Sequence, residues 1–67
     1  MIHKTAIVDP KSKISSNVDV GAYSVIGPNV EIGENTIVGA GSLVTKSIPS
    51  NVIAYGSPAK IIKSNPI

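Results

Sequence analysis

The chain has 67 residues, a net charge of +2, one histidine and no cysteine. This length allows one small domain with a limited core, and the composition excludes both a disulfide framework and a histidine-rich metal site. Two tyrosines are the only aromatic residues, so we expect no binding to nucleic acid. No apolar run is long enough for a signal peptide or a membrane span, so we expect a cytoplasmic protein that does not bind membrane.

An aliphatic residue recurs at every sixth position over the first two thirds of the chain. The eight positions are Ile2, Val8, Ile14, Val20, Ile26, Ile32, Val38 and Val44. Neither a helix nor a simple strand has this period, so the sequence consists of six-residue repeats. The fifth position of each unit is small or β-branched and lies two residues before the next aliphatic residue, so both point to the same side of an extended segment. Each unit is predicted to be a very short strand.

Turn-forming residues separate these strands. Glycine follows the aliphatic residue at Gly21, Gly27, Gly33 and Gly39. The fourth position holds Asn17, Asn29, Asn35 and Gly41, and these residue types adopt the left-handed conformation at low steric cost. Each unit therefore turns a corner, and three corners close a triangular coil of 18 residues. The sequence predicts an all-β parallel β-helix of about three coils.

The units differ in regularity along the chain. Residues 1–10 form the first and least regular unit, in which His3 occupies the place that glycine takes later. The ladder continues through residues 11–19 and is most regular from Val20 to Val44. Residues 45–51 predict a loop within which Ile48 still fits the pattern, and residues 52–55 one last extended segment. We expect a single domain of coils over 1–55, with a turn and tail over 56–67 that covers the open end.

The outward residues of strands 18 positions apart share a face of the predicted prism. Ile7, Val25 and Leu43 form an entirely aliphatic stack, which predicts self-association through this face. Lys13 and Glu31 form a second stack. The third stack begins with Asp19 and Ile37, and Tyr55 is predicted to extend it.

Charge is distributed unevenly along the sequence. Residues 46–67 contain Lys46, Lys60 and Lys63 and no acidic residue, whereas residues 14–45 contain three acidic residues and no lysine. A basic C-terminal end can attract a ligand that bears phosphate. The alternative is a solvated tail whose lysines bind nothing.

The C-terminal sequence IVGAGSLVTKSIPSNVIAYGSPAKII resembles the end of hexapeptide-repeat acetyltransferases, with their GAGS segment, their TK-IP loop and a closing G-x-P-A-K. The opening IHKTAIVDPKSKISSNVDVGAYSVIGPNVEIGENT resembles the first coils of the same superfamily, which includes sugar O- and N-acetyltransferases and UDP-N-acetylglucosamine acyltransferases. Together the two matches cover nearly the whole chain.

This resemblance implies a homotrimer of left-handed β-helices that binds acetyl-CoA in the groove between neighbouring subunits. By the same resemblance, backbone groups of Gly39, Ala40 and Gly41 would line the groove. Pro58 and Ala59 would shape its end, and Lys60 would meet a CoA phosphate. For both glycines a purely structural role at a corner is an equally good explanation.

The sequence departs from the family in one respect. The opening units run directly into the closing units, and the middle coils that carry the family's histidine base are missing. His3 is the only candidate for a general base, although a polar corner residue at the open end explains it as well.

Three functions remain open at this point. The first is acetyl transfer from acetyl-CoA to a sugar hydroxyl or amine, without a metal. The second is a non-catalytic, self-assembling β-helix scaffold, shortened or engineered, and the third is a binder of phosphate ligands that uses Lys46, Lys60 and Lys63.

Overall fold

A computed structural model describes residues 1–65. Most of its strands are two residues long, as the six-residue repeat predicts. The strands are β1 (Ile7–Val8), β2 (Lys13–Ile14), β3 (Asp19–Val20), β4 (Val25–Ile26), β5 (Glu31–Ile32), β6 (Ile37–Val38), β7 (Leu43–Val44), β8 (Val52–Gly56) and β9 (Ala59–Ser64). No helix that could span a membrane occurs among residues 1–65.

The strands form three parallel columns, one for each face of a triangular prism. Their orders are β1-β4-β7, β2-β5 and β3-β6-β8-β9. Among strands β1 to β7, each residue pairs with the residue 18 positions later, as Ile7 does with Val25 and Val25 with Leu43. The predicted coil length is confirmed, and the fold is a left-handed parallel β-helix.

Small and branched side chains fill the inside of the prism. The buried apolar residues are Val18, Val20, Ile26, Val30, Ile32, Val38, Val44, Ile48 and Ala54, and the buried polar residues are Ser24, Thr36 and Ser42. Nearly all of them occupy the first and fifth positions of the repeat, so the predicted inward pattern is confirmed. Ile2, the first residue of the ladder, is 41% exposed.

The corners have two conformations along the helix. From the second coil onward the fourth position has positive φ, at Tyr23, Asn29, Asn35 and Gly41. The prediction for Asn17 was wrong, since it is not among the positive-φ residues of the described chain. Its corner instead closes with a hydrogen bond from the Val18 N–H to the Ser15 carbonyl, at 3.4 Å.

Close packing between coils requires glycine at three of the positions that follow the aliphatic ladder, Gly21, Gly33 and Gly39. A Cβ added at Gly21 would lie 2.5 Å from the Ala40 nitrogen, and one at Gly39 would lie 2.7 Å from the Tyr55 Cβ. Both distances are far below van der Waals contact. Glycine at these positions lets each corner rest on the next, which brings the corner at Gly39 against Tyr55.

The third coil is two residues shorter than the others. Ile32 pairs with Ile48, and Ile37 pairs with Ile53, so these partners are 16 rather than 18 residues apart. Ile48 therefore takes an inward place two residues early. The predicted extension of the third outer stack by Tyr55 was wrong, because the shortened coil puts Ile53 there instead.

The C-terminal residues form a strand where the sequence predicted a turn and a tail. Strand β9 pairs antiparallel with β8 and covers its free edge. Asn65 fixes the end of this hairpin, since its side-chain amide donates to the Asn35 carbonyl at 2.8 Å and its backbone N–H donates to the Asn51 carbonyl at 2.8 Å. Residues 66 and 67 of the predicted tail lie outside the described residues.

Candidate functional site

The first segment of the candidate site is the corner at 39–41. The Gly39 N–H donates to the Ala54 carbonyl at 2.9 Å, and the Gly41 N–H donates to the Ala22 carbonyl at 2.8 Å. These bonds join the corner to the coils on both sides of it. Ala40 is exposed at the tip, and its N–H has no acceptor within residues 1–65. The corner is thus bonded to both neighbouring coils, and among the described residues the Ala40 N–H has no acceptor.

The second segment is the turn between β8 and β9, where Gly56 has a φ of 115° and Ser57-Pro58 is a cis peptide. Pro58 is exposed, whereas Ala59 is half-buried and packs against the core. Lys60 is exposed and pairs with Tyr55 across the hairpin. The turn therefore places the exposed side chain of Lys60 opposite Tyr55, and within residues 1–65 the Lys60 ammonium group has no ion-pair partner.

Tyr55 and Ser42 bring these two segments together. Tyr55 packs directly on Gly39, while the Gly56 N–H donates to the Ser42 hydroxyl at 3.3 Å. The predicted residues of the corner and of the turn therefore lie at one edge of the prism, although they are separated in sequence by the whole third coil. Whether they bind a ligand stays a prediction.

His3 lies at the same edge, but two coils away from the corner. The His3 N–H donates to the Val20 carbonyl, and the next residue of that coil, Gly21, donates to the Val38 carbonyl beside Gly39. At the usual spacing of strands, two such steps separate His3 from Gly39 by about 10 Å along the axis. The structure therefore does not place the candidate base in contact with the corner.

The ring of His3 is held by Thr5. The Thr5 N–H donates to His3 Nδ1 at 3.2 Å, and the Thr5 hydroxyl lies 2.8 Å from the same nitrogen. A backbone N–H can only donate, so Nδ1 is the acceptor and the neutral ring carries its proton on Nε2. To accept a proton from a substrate, the imidazole must therefore give up the bond to the Thr5 N–H.

The predicted interface residues form one continuous aliphatic stripe. Ile7 is 65% exposed, Leu43 is 37% exposed, and Val25 lies between them in register. Within residues 1–65, Ile7 and Leu43 are exposed and Val25 is half-buried. Its use as an interface between subunits stays a prediction.

The remaining charged groups lie away from the corner or along the hairpin. Lys63 pairs with Ile53 on β8, and Lys46 is exposed in the loop. A shallow open depression elsewhere is lined by Lys11, Lys13, Asn29 and Glu31. In the part of the chain that the structure describes, no cluster of three or more metal-ligating side chains occurs.

Sequence reasoning missed three residues of this site: Tyr55, Ser24 and Ser42. Tyr55 is one of two aromatic residues and directly precedes Gly56. This position could have indicated that an outward-facing ring lies beside the turn. The serines look in the sequence like small packing residues. Only the structure reveals that their buried hydroxyls bind the backbone of the corner.

Comparison with known proteins identifies relatives of the chain. Residues 11–46 match the family described as bacterial transferase hexapeptide (six repeats). Galactoside O-acetyltransferase of Escherichia coli K12 is 52% identical over 50 residues, which make up 75% of this chain and 25% of that protein. The chain spans between about a tenth and a quarter of the length of the curated relatives that it matches.

Solved structures agree with this match. A Bacillus cereus protein assigned as an acetyltransferase, the product of gene BC4754, superposes with a TM-score of 0.91 at 37% identity, covering 97% of this chain and 38% of that one. A galactoside acetyltransferase in complex with coenzyme A superposes with a TM-score of 0.78 at 49% identity, covering 79% of this chain and 26% of that one.

Proposed function

The chain belongs to the bacterial transferase hexapeptide family, and from this premise we propose that its β-helix binds acetyl-CoA for transfer of the acetyl group to a hydroxyl or amine. The observation that carries the proposal is the convergence of the corner at 39–41 and the turn at 56–60 at one edge of the prism. When bound, acetyl-CoA supplies an activated acyl group. The residues of the chain bind and orient it.

The two segments offer complementary groups for such a ligand. The exposed corner presents the unpaired Ala40 N–H, which suits an amide carbonyl of a pantetheine arm. Lys60 provides a free ammonium group for a phosphate, and Pro58 and Ala59 shape the surface between them. A relative of this chain, the galactoside acetyltransferase, has been solved in complex with coenzyme A, which supports the same ligand here.

The proposed assembly is a homotrimer joined through the aliphatic stripe of Ile7, Val25 and Leu43. A closed symmetric ring buries this stripe on every copy. Each groove between neighbouring subunits then has one wall formed by the corner and the turn of one subunit. A domain of 67 residues buries little apolar surface when it folds alone, so burial of the stripe in a trimer also stabilises the fold.

For the acceptor we propose a sugar, because a galactoside O-acetyltransferase is among the relatives. Proton removal from its hydroxyl or amine is assigned to His3, the only imidazole in the sequence. Backbone N–H groups would steady the negative charge that develops on the acyl oxygen.

Lys60→Ala tests the ligand site. We expect calorimetric titration of the purified protein to show saturable binding of CoA, weakened about threefold to tenfold in Lys60→Ala because one charge-assisted contact to phosphate is lost. Lys11→Ala is the matched control, since it removes the same charge from an exposed site away from the corner and the turn, and it should leave the affinity unchanged. No binding by the native protein at millimolar CoA would contradict the proposal and favour the self-assembling scaffold.

His3→Ala tests the proposed base. In an acetyl-transfer assay with a galactoside acceptor we expect its kcat/KM to fall about 100-fold, the lower end of the range for a general base, because the ring is exposed and its Nδ1 is engaged by Thr5. The affinity for CoA should not change. A variant that retains the native rate would show that His3 is only a corner residue.

A further inference from the structure

The buried hydroxyl of Ser42 joins the two segments of the candidate site. Ser42 is 1% exposed and donates a hydrogen bond to the Gly39 carbonyl at 2.6 Å. The same oxygen accepts the Gly56 N–H at 3.3 Å. A hydroxyl has one proton to donate and lone pairs with which to accept, so both bonds form at once. One side chain thus ties the corner at 39–41 to the turn at 56–58.

The Gly39 carbonyl receives a second hydroxyl from Ser24. Ser24 is fully buried and donates to this oxygen at 3.0 Å. The two serines occupy the fifth position of units that are 18 residues apart, so they stack inside the prism. Their donors occupy both lone pairs of the carbonyl and hold it toward the interior.

This orientation determines where the next amide points. The Gly39 carbonyl and the Ala40 N–H belong to one planar trans peptide group, in which they point in opposite directions. Because the carbonyl is held inward by two buried hydroxyls, the Ala40 N–H faces outward. This is the donor that has no acceptor within residues 1–65.

We propose that Ser42 is a positioning residue for the acyl-CoA ligand, with Ser24 in a lesser role; this inference rests on the proposed function. Ser42 acts without touching the ligand. It fixes the Ala40 donor and the Gly56 end of the turn in one arrangement before binding, and such preorganisation lowers the cost of ordering the site when the ligand arrives. The corner and the turn therefore bind as one unit.

Thr36 provides a matched structural control. It also occupies the fifth position, is fully buried and donates a hydroxyl hydrogen bond at 2.8 Å, but its acceptor is the Pro49 carbonyl in the loop. Thr36→Val removes this bond with little change of shape. A purely structural role for Ser42 predicts that Ser42→Ala and Thr36→Val behave alike.

The test compares CoA affinity and melting temperature across these variants. We expect Ser42→Ala to weaken CoA binding about tenfold, because both of its bonds are lost, and Ser24→Ala to weaken it about threefold, because the carbonyl keeps one donor. Thr36→Val should lower the melting temperature but leave the affinity for CoA unchanged. Ser42→Thr should retain binding, since it keeps the hydroxyl and the fifth position of another unit holds the buried Thr36.

The outcomes separate this inference from the proposed function. If the native protein binds CoA and Ser42→Ala binds it equally well, Ser42 is structural and the inference is wrong while the proposed function stands. If the native protein does not bind CoA, both are wrong. Should Ser42→Ala fail to fold, Ser42→Cys decides the question, because it keeps a side chain of similar shape while it weakens both hydrogen bonds. Weaker CoA binding in this variant supports the inference, and unchanged binding refutes it.

Discussion

Replacing Val25 and Leu43 together by lysine is expected to abolish self-association. The two residues are adjacent rungs of the aliphatic stripe that Ile7 completes, and the stripe is the proposed contact between subunits. Lysine at both positions would bury two ammonium groups in an apolar interface without partners, at a cost far above the gain from the rest of the contact. Sedimentation analysis should find a monomer or an unfolded chain in place of a trimer.

The control for this variant is Glu31→Lys. It also changes the net charge by +2, but Glu31 is exposed on the neighbouring face of the prism. We expect Glu31→Lys to retain the native mass. An oligomer of native size in the double lysine variant would show that the stripe is not the interface.

Ile32→Ala is expected to destabilise the fold by about 2–5 kcal/mol, because it deletes a fully enclosed side chain and leaves a cavity in the narrow prism. Ile32 is 2% exposed, and it pairs with Ile14 on one side and Ile48 on the other. For a small domain this loss is a large part of the total free energy of unfolding. Urea denaturation at a fixed protein concentration measures it, since assembly contributes to the apparent stability.

The neighbouring residue Glu31 provides the comparison. It lies on the same strand but points outward, so Glu31→Ala should change the free energy of unfolding by less than about 0.5 kcal/mol. Equal effects at the two positions would contradict the assignment of inward and outward residues.

Much of the fold follows from the sequence because the repeat has one strong physical cause. The interior of a triangular prism has room for a branched aliphatic side chain at every sixth position but not for a large aromatic ring. The aliphatic residues from Ile2 to Val44 follow this constraint. This six-residue period no longer holds in the third coil, which is shorter than the others. The coil that contains residues 45–51 is two residues short, and a count of six-residue units does not predict this. The structure shows it because Ile48 pairs with Ile32 and Ile53 pairs with Ile37.

The corners were predicted less well than the strands. Asparagine and glycine suit the left-handed conformation, yet Tyr23 adopts it and Asn17 does not. Contacts between stacked coils therefore contribute to the conformation of a corner in addition to its own residue types. At the corner of Tyr23, the Tyr23 N–H donates to the Thr5 hydroxyl of the preceding coil at 2.9 Å. The local sequence around Tyr23 does not predict this contact.

The sequence predicted the segments of the candidate site but not their connection. The resemblance pointed to the corner at 39–41 and to the turn at 56–60. Their proximity depends on Tyr55 resting on Gly39 and on the hydroxyl of Ser42, both of which follow from stacking of coils. Position five tolerates alanine, serine, threonine and valine, so a serine there does not reveal a hydrogen bond.

A crystal structure of the protein with bound CoA tests the central claim most directly. We predict density for the ligand along the corner at 39–41 and the turn at 56–60, with the Ala40 N–H donating to it, the Lys60 ammonium near a phosphate and a second subunit packed on the aliphatic stripe. CoA bound at another surface, such as the depression beside Lys11 and Lys13, would contradict the account. A well-ordered trimer whose grooves stay empty at saturating CoA would identify the chain as a self-assembling β-helix without the proposed ligand site.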